Sequence, residues 1–381
     1  MVNNLSTVTL RFAIACSPYL STGLMATFIA FGIFITSEFK ALAKPSTAKS
    51  TESSAAASTE QSTETSAELK DNRKVALMNS AGSHQTRAKN KTDERTLRVP
   101  FVVGKTTRET VTIDGRQRQY FQHIPLNYDG TKRTPVMLVF NGWGDVPGQG
   151  NTKPGAAGTE QFTGLSEKAD KENFIVVYLD GYQKNEYSWN NGQWFFSKQD
   201  DFEFTNRVLD SLRERFRIDR ERLYLVGYSQ GASFAHRYAT TFPERIAALA
   251  SVGGWITGKE KKPTGSPYSC LEIHSASDPT VPVDGRVWWL KMKPQEDLKK
   301  FYRSADGIEE EAQIITKKAA DGSDIKIEIS RCKTTGTEFR YITVANCGHK
   351  WFGGKGAESA AINATDTIWD FVKDKRKVLK G

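Results

Sequence analysis

The residues with the clearest potential for chemistry are Ser229 and the two glycines around it, in the stretch Gly227-Tyr228-Ser229-Gln230-Gly231. An apolar, strand-like run precedes this stretch, and a helix-like pattern follows it. A sharp turn between a strand and a helix needs small residues on both sides of the serine, and it lifts one hydroxyl above the sheet edge. An ordinary turn with a helix-capping serine is the alternative. The flanking strand and helix favour a nucleophile, with the Gln230 backbone N–H as an oxyanion donor.

A serine hydroxyl needs a base to take its proton, so one of the five histidines must serve. His84 and His123 precede the serine in the chain. His236 lies on the helix behind the serine, and His274 ends a strand and supports the loop after it. His349, in NCGHKWFGG, follows the last strand, where glycines allow a loop to fold back over the sheet edge. We therefore predict His349 as the general base, in the chain order serine, acid, histidine.

The third catalytic residue should be a carboxylate after the strand CLEIH, where it would orient the imidazole and stabilise the imidazolium. Asp278, in SASDPTVP, follows that strand within a few residues, and Asp284 is the alternative if the loop doubles back. A second oxyanion donor is expected in the loop after PVMLVF, and we predict the Trp143 N–H. All of these positions follow the carboxyl ends of strands, where open α/β sheets place their sites.

The surrounding pattern indicates the elements that position these residues. TVTIDGRQRQYFQHIP is typical of two strands joined at Asp114-Gly115, a strong hairpin signal. PVMLVFNG, FIVVYLDG and RLYLVG are continuous apolar runs, which indicates strands buried on both faces. DDFEFTNRVLDSLRERF places Phe204, Val208 and Leu212 on one helical stripe. This alternation predicts an α/β fold with a mostly parallel sheet.

The first hundred residues differ in composition from the rest. Residues 12–37 carry no charge and residues 41–43 resemble a small-residue cleavage site, so residues 1–43 are predicted to be an export signal. An uncleaved single-pass anchor is the alternative. Residues 44–98 are rich in Ser, Thr and Ala and then basic, and they have too little apolar surface to fold, which predicts a disordered linker. A single catalytic domain is predicted at residues 99–377.

The charge and the metal-ligand pattern exclude some partners. The net charge of +9 arises from dispersed basic residues, so nucleic-acid binding is not expected. No His, Cys or carboxylate cluster has the spacing of metal ligands, and neither a metal nor a cofactor is expected. Contact with a membrane is expected only through residues 12–37, if that segment is uncleaved.

Several of these motifs follow one another in an order that is specific when taken together: RQYFQHIPLNYDGTKRTPVMLVFNGWGD, EKADKENFIVVYLDG, YSWNNG, RLYLVGYSQGASFAHRYA, HSASDPTVP and GHKWFGG. Over about residues 105–375 the chain resembles the α/β-hydrolases grouped as poly(3-hydroxybutyrate) depolymerases and feruloyl or acetylxylan esterases. The resemblance implies an α/β-hydrolase fold with helices on both faces of the sheet. It also implies a secreted serine esterase that works through an acyl-enzyme, with Ser229, Asp278 and His349 at the triad positions.

Three departures from that family concern the surroundings of the site. Asn141-Gly142 replaces the usual His-Gly before the oxyanion loop, Leu179 replaces a common proline, and GHKWFGG replaces Gly-His-Thr-Trp-Pro-Gly. The polyhydroxyalkanoate, feruloyl and acetyl-glycan esters of the family, some of them polymeric, all remain candidate substrates. A cell-surface binding protein that keeps the fold without the chemistry is the alternative, because a fold alone does not imply function.

Aromatic residues in loops offer a clue to the substrate. Trp143, Trp255 and Trp351 lie in loops just after strand ends, and the stretch YSWNNGQWFF adds Trp189, Trp194, Phe195 and Phe196. Trp189, Trp255 and Trp351 are predicted to contact the substrate, with packing in the core as the alternative for each. Such residues favour an apolar or aromatic acyl pocket, or a platform for sugar rings.

Beyond Cys16 in the export segment, the chain has three cysteines. If DIKIEISRC and EFRYITVAN form a hairpin, Cys332 emerges near the end of the sheet where Cys270 begins a strand. A Cys270–Cys332 disulfide and a free Cys347 are therefore predicted, since Cys347 would lie beyond disulfide reach.

Overall fold

The structure is a computed structural model, and it describes residues 101–144, 153–262, 266–287, 290–305, 311–355 and 361–378. The predicted export segment and linker, residues 1–98, lie outside the described residues. Among the residues that are described, no helix has the length and apolar character needed to cross a membrane.

The strands are β1 Lys105–Ile113, β2 Arg116–Ile124, β3 Thr134–Phe140, β4 Ile175–Leu179, β5 Ile218–Tyr228, β6 Ala248–Val252, β7 Ser269–Ser275, β8 Arg286–Val287, β9 Leu290–Lys291, β10 Gln313–Lys318, β11 Asp324–Arg331 and β12 Glu338–Val344. The α-helices are α1 Gly155–Thr163, α2 Leu165–Glu172, α3 Asp201–Arg215, α4 Gln230–Thr241, α5 Gln295–Ala305 and α6 Ala364–Val372. Short 3₁₀ turns span Gln183–Asn185 and Pro243–Arg245.

Within the described part of the chain, ten strands form one sheet in the order β1-β2-β4-β3-β5-β6-β7-β12-β11-β10, and β8 pairs with β9 separately. The pairs from β4 to β12 are parallel, and the pairs at both edges of the sheet are antiparallel. The predicted α/β class with a mostly parallel sheet is therefore confirmed.

The central strands are buried on both faces, which explains their continuous apolar runs. Alternate residues of β3 enter two different cores: Val136, Leu138 and Phe140 face one, and Met137 and Val139 face the other. The first core includes Phe204 of α3, Phe234 of α4 and Leu298 of α5. The second includes Ala156 of α1, Leu165 of α2 and Ile368 of α6. Helices thus cover both faces of the sheet, as predicted.

The local signals in the sequence produced the expected elements. Asp114 and Gly115 join β1 to β2, both with positive φ (49° and 73°), as a two-residue type I′ turn requires. Helix α3 begins after Asp200, whose carboxylate accepts the Glu203 backbone N–H at 2.9 Å and caps the helix. The predicted stripe of Phe204, Val208 and Leu212 is buried.

The predicted disulfide between Cys270 and Cys332 is not formed: the structure has no disulfide among its described cysteines. Cys270 of β7 pairs in register with Phe339 of β12, and β11, which ends just before Cys332, lies on the far side of β12. Two strand spacings of about 4.8 Å exceed the roughly 7 Å Cα–Cα limit of a disulfide. The prediction placed the hairpin correctly but missed that β12 separates the two cysteines. Cys347 is a free thiol, as predicted.

Candidate active site

Ser229 occupies the junction between β5 and α4 in a backbone conformation that side chains rarely adopt, with φ 54° and ψ −123°. This conformation is strained for any residue except glycine, and strain of this kind concentrates at functional sites. The Ser229 backbone N–H donates to the Val252 carbonyl of β6 at 2.9 Å, so the turn is anchored to the neighbouring strand. The surrounding structure therefore holds the serine in its strained position.

The glycines on either side of Ser229 have a direct steric cause. A Cβ atom at Gly227 would lie 2.6 Å from the Ala232 backbone nitrogen. A Cβ atom at Gly231 would overlap the carbonyl oxygens of Phe140 and Asn141 at the end of β3. Only glycine permits this close approach of strand, turn and helix, as the sequence pattern predicted.

Three loops bring Ser229, His349 and Asp278 into one hydrogen-bonded row. The Ser229 Oγ lies 2.9 Å from His349 Nε2, and His349 Nδ1 lies 2.7 Å from Asp278 Oδ2. The other carboxylate oxygen of Asp278, Oδ1, accepts the backbone N–H groups of Thr280 at 2.9 Å and Val281 at 2.8 Å. The loop therefore fixes the carboxylate so that one oxygen faces the imidazole.

The surroundings of Asp278 favour its ionised form. Burial by itself would raise the pKa of this carboxyl, but hydrogen bonding to His349 and the Val281 N–H, with the charges of His349 and His274, outweighs burial and lowers the pKa. An ionised Asp278 is an acceptor, so His349 Nδ1 is the donor and Nε2 can accept the serine proton. Asp284, the alternative acid, pairs instead with Arg286 at 2.7 Å.

The other described histidines lie away from the serine hydroxyl. His123 is buried between Thr106 and Asp170, at 3.0 Å from each. His236 is buried on α4, and His274 is buried at the end of β7. His84 lies outside the described residues.

The loop after β3 lies directly against Ser229. A Cβ atom at Gly142 would lie 3.4 Å from the Ser229 Cβ. Asn141, which stands where the resembling family has histidine, fastens this loop: its Oδ1 accepts the Gly181 N–H at 2.9 Å, and its Nδ2 donates to the Tyr187 carbonyl at 2.9 Å. Trp143, the predicted second oxyanion donor, is the next residue of the same loop.

The three tryptophans predicted to contact the substrate have buried side chains. Trp189, Trp255 and Trp351 are at most 2% exposed. Each indole N–H is hydrogen-bonded inside the protein, to the Asn141 carbonyl at 3.0 Å, to Gln193 Oε1 at 3.3 Å and to Thr365 Oγ1 at 3.0 Å respectively. The expectation of substrate contact is therefore wrong for these rings, because large apolar rings with a bonded N–H gain more by packing in the core.

Exposed aromatic surface near the site comes from other residues. Trp143 is 40% exposed and packs edge-on against Phe196, with ring centroids 5.5 Å apart. Trp194 is 75% exposed, in the loop that also carries Phe195 and Phe196. The sequence stretch indicated this aromatic cluster, but it could not distinguish buried from exposed members.

A family profile described as alpha/beta hydrolase fold matches residues 135–269, the part of the chain from β3 to the start of β7. The chain has the α/β-hydrolase fold. "Putative esterase NocK" of Nocardia uniformis subsp. tsuyamanensis is 28% identical over 313 residues, covering 72% of this chain and 85% of that protein. Feruloyl esterase C of Emericella nidulans is 25% identical over 171 residues, covering 45% of this chain and 58% of that protein.

Among solved structures, the acetyl xylan esterase from Aspergillus awamori aligns with a TM-score of 0.48 and 12% identity, covering 70% of this chain and 99% of that one. The match to feruloyl esterase C confirms the resemblance to feruloyl esterases that the sequence motifs indicated. In the α/β-hydrolase fold found here, the serine turn lies after β5, the acid after β7 and the histidine after β12. All three follow strand ends at one edge of the sheet.

Sequence reasoning missed a residue that contacts the histidine of this α/β-hydrolase site. The Tyr228 ring stacks on the His349 imidazole, with centroids 5.3 Å apart and planes 25° apart. The Tyr228 hydroxyl donates to the His349 backbone carbonyl at 3.2 Å. Its place directly before the serine was visible in the sequence, but the contact depends on a loop that is 121 residues away.

Proposed function

We propose that this protein is a serine esterase that hydrolyses carboxylic esters through an acyl-enzyme. The observation that carries the proposal is the row of hydrogen bonds from Ser229 through His349 to Asp278, with the serine on a strained turn at a helix N-terminus. The names of the relatives, which describe esterases, support the same class of reaction.

The geometry supports a two-stage reaction. Ser229 Oγ attacks the ester carbonyl carbon while its proton passes to His349 Nε2. The tetrahedral intermediate collapses when His349 returns this proton to the leaving alcohol oxygen, which leaves the acyl group on Ser229. Water then attacks the acyl carbon with His349 as its base, and the carboxylic acid departs as Ser229 regains its proton. Asp278 accepts the His349 Nδ1–H throughout and stabilises the imidazolium.

The negative charge that develops on the carbonyl oxygen needs donors on the face opposite the histidine. We propose the backbone N–H groups of Gln230 and Trp143 for this role. The Gln230 N–H belongs to the first turn of α4, where the helix dipole also favours an anion. A Cβ atom at Gly142 would lie 3.4 Å from the Ser229 Cβ, and this close approach of the loop supports the choice of the next residue, Trp143.

For the substrate, we propose an ester carried by a polysaccharide, with an aromatic feruloyl or a small acetyl acyl group. The names of feruloyl and acetylxylan esterases among the relatives support this class. The exposed indole of Trp143, packed against Phe196 beside the nucleophile loop, offers an aromatic surface for such an acyl group or for a sugar ring.

The test uses the purified protein with p-nitrophenyl acetate, methyl ferulate, acetylated xylan and a polyhydroxybutyrate film, together with labelling by a fluorophosphonate. We expect hydrolysis of at least one ester, stoichiometric labelling, and loss of both in Ser229→Ala. Asp284→Ala is the matched control, because this carboxylate lies outside the row and pairs with Arg286. A protein that is folded, inactive on every ester and unlabelled would support the binding-protein alternative instead.

We also propose that the protein is exported. Residues 12–37 lie outside the described residues, so this proposal depends on their sequence. We propose that this uncharged segment directs the catalytic domain out of the cytoplasm and that residues 44–98 act as a linker. Expression of the full chain in a secreting host, followed by N-terminal sequencing, distinguishes a cleaved export signal from an uncleaved membrane anchor. A mature N-terminus near residue 44 in the medium indicates cleavage, and an intact N-terminus in the membrane fraction indicates an anchor. Intact protein that stays in the cytosol would contradict export.

A further inference from the structure

A row of buried polar side chains lies directly behind the proposed triad. The Tyr302 hydroxyl is 2.6 Å from His236 Nδ1, and His236 Nε2 is 3.4 Å from Glu272 Oε2. The other oxygen of Glu272 is 3.4 Å from His274 Nδ1. Glu272, His236 and His274 have no exposed side-chain surface. Burying an ionisable glutamate and two histidines is costly unless they bind one another, as these three do.

His274 is the member of this row that reaches the triad. Its Nε2 lies 2.7 Å from the Val281 carbonyl oxygen and 3.9 Å from Asp278 Oδ2, while its Nδ1 faces Glu272. Both ring nitrogens therefore face oxygen acceptors. A neutral imidazole has a single N–H, which would leave the lone pair of the other nitrogen facing an oxygen. The doubly protonated imidazolium satisfies both contacts.

The charges around His274 support the same protonation state. Burial would lower the pKa of His274, but its hydrogen bond to Glu272, the negative charges of Glu272 and Asp278, and the Val281 carbonyl outweigh burial and raise the pKa. The pKa of Glu272 is lowered, because its contacts with His236 and His274 outweigh its own burial. An ionised glutamate and a protonated histidine thus stabilise each other.

The other titratable groups near Glu272 and His274 do not disturb the ion pair between these two side chains. Burial raises the pKa of Tyr302 on α5, so its hydroxyl keeps its proton and can donate to His236 Nδ1. When Nδ1 of His236 accepts this hydrogen bond, the N–H of the ring is at Nε2, which faces Glu272 Oε2. Burial likewise keeps the proton of Tyr341 on β12, whose hydroxyl donates to Gln295 at 3.3 Å.

Val281 links His274 to the catalytic acid mechanically as well. The Val281 carbonyl accepts from His274, and the Val281 N–H donates to Asp278 Oδ1 at 2.8 Å. A single peptide segment is thus held at its carbonyl by one side chain and at its N–H by the other. A shift of His274 would move the donor that orients the Asp278 carboxylate.

We propose that His274 is a positioning residue of the catalytic site, held as an imidazolium between Glu272 and the Val281 carbonyl, where it fixes the Asp278 loop and favours the ionised carboxylate. This inference rests on the proposed function, in which Asp278 orients His349. His274 touches no reacting atom, so its effect must pass through Asp278.

The protonation state is tested without any substrate. Wild-type protein labelled with ¹⁵N at its five histidines is examined by NMR at neutral pH, and His274→Gln identifies the His274 signals by their loss. We expect both His274 ring nitrogens to have the chemical shifts of protonated imidazolium and to keep them at pH 8. Shifts of a neutral imidazole at pH 7 would overturn the inference. If His274→Gln does not fold, through-bond assignment of the wild-type spectrum identifies the His274 signals instead.

The positioning role is tested with two variants, of which only one can keep the hydrogen bond to the Val281 carbonyl. His274→Gln can place an amide donor near the Nε2 position and keep the Val281 contact, whereas His274→Asn is too short to reach Val281. We expect His274→Asn to lower kcat on p-nitrophenyl acetate by on the order of 10²-fold with KM within about twofold, because the acid is displaced. His274→Gln should recover most of this loss. His123→Asn, a buried histidine between Thr106 and Asp170, is the matched control and should keep its kcat.

Three outcomes are informative. Wild-type kcat in a folded His274→Asn would overturn the positioning role. Equal losses in the Gln and Asn variants would also overturn it, since the Val281 contact would then not matter. A wild-type protein that hydrolyses no ester and is not labelled by fluorophosphonate would instead overturn the proposed function, and the positioning role with it. The NMR result would still decide the charge of His274 in that case.

Discussion

Tyr228 holds His349 from two directions: its ring stacks on the imidazole at 5.3 Å between centroids, and its hydroxyl donates to the His349 backbone carbonyl at 3.2 Å. The residue directly before the serine in the chain thus supports the histidine that the serine needs. The sharp turn therefore positions both partners of the proposed proton transfer, because the strand end that carries Ser229 also carries the ring that stacks on His349.

Two substitutions of Tyr228 should distinguish the effect of ring stacking from that of the hydroxyl hydrogen bond. Tyr228→Phe keeps the ring and loses one hydrogen bond, so we expect kcat to fall by only about 2- to 10-fold. Tyr228→Ala removes the ring as well and frees the loop, and we expect a loss on the order of 10²-fold with KM little changed. Steady-state kinetics on p-nitrophenyl acetate measure both values.

Tyr224→Phe is the control for this pair, because Tyr224 lies on the same face of β5 four residues earlier. Its hydroxyl also donates to a backbone carbonyl, that of Lys375 at 3.1 Å, but away from the site. Its kcat should equal that of the wild type. If Tyr228→Ala also kept wild-type kcat, the support of His349 by Tyr228 would have no catalytic value.

Ser229 and His349 should act as one unit. Each single alanine variant should lower kcat by about 10⁴-fold or more, and the double variant should fall to about the same level, because the histidine has no proton to remove without the serine. Asp278→Ala should cost less, since a misoriented imidazole still acts part of the time. Rates for the three single variants and the Ser229/His349 double variant decide this. Additive losses in the double variant would show that the two residues act independently.

The strained backbone at Ser229 should be visible in the stability of the protein. A residue held in this region costs about 1–3 kcal/mol, and glycine relieves this strain but has about 0.5–1 kcal/mol more entropy to lose on folding. We expect Ser229→Gly to have a higher free energy of unfolding than Ser229→Ala by about 1 kcal/mol, and both to be inactive. Urea unfolding curves measure the difference. Equal stability of the two variants would mean that the turn is not strained.

Glu338 should make the stability of the protein depend on acid pH. Its side chain lies 2.6 Å from Arg340, 3.1 Å from Arg331 and 3.6 Å from Lys375. Burial would raise the pKa of Glu338, but the charges of these three cations lower it below the ordinary value of 4.5. A lowered folded-state pKa stabilises the protein above the ordinary pKa, and this stabilisation is lost as the pH falls through the lowered value.

Glu338→Gln should therefore be less stable than the wild type at pH 7, by about 1–3 kcal/mol, and the difference should shrink as the pH falls below 4.5. Urea unfolding between pH 7 and pH 3 measures it. Glu244→Gln is the control, because that carboxylate is largely exposed and lies 3.6 Å from Arg245. Its curve should follow the wild type at every pH. A difference for Glu338→Gln that is constant with pH would contradict the assigned direction of the pKa.

Trp143 should affect aromatic substrates more than small ones. Trp143→Ala removes the exposed ring but keeps the backbone N–H, so we expect KM for methyl ferulate to rise several-fold while KM for p-nitrophenyl acetate stays within about twofold. Trp194→Ala is the comparison, because this exposed indole lies outside the loop proposed to bind the oxyanion, and it should change neither value. If both Trp143→Ala constants stay at the wild-type level, the acyl group binds elsewhere.

Much of the fold and of the site could be predicted because the signals were local. The Asp114-Gly115 turn, the continuous apolar strands and the stripe on α3 each depend on residues within a few positions of one another. The order of strands in the sheet does not depend on such short-range signals. No short-range pattern states that β12 lies between β7 and β11, and the Cys270–Cys332 prediction failed on that point alone.

The sequence by itself determined the serine turn, because steric exclusion around Gly227 and Gly231 acts between neighbouring elements and leaves no other residue possible. It also indicated His349 and Asp278, by chain order and by their place after strand ends. Only the tertiary structure decided which aromatic rings are buried, because burial of Trp189 depends on an acceptor at Asn141, 48 residues away. The contacts that link His236, Glu272, His274 and Val281 likewise arise where a strand, a helix and a loop meet, and such contacts depend on packing in three dimensions.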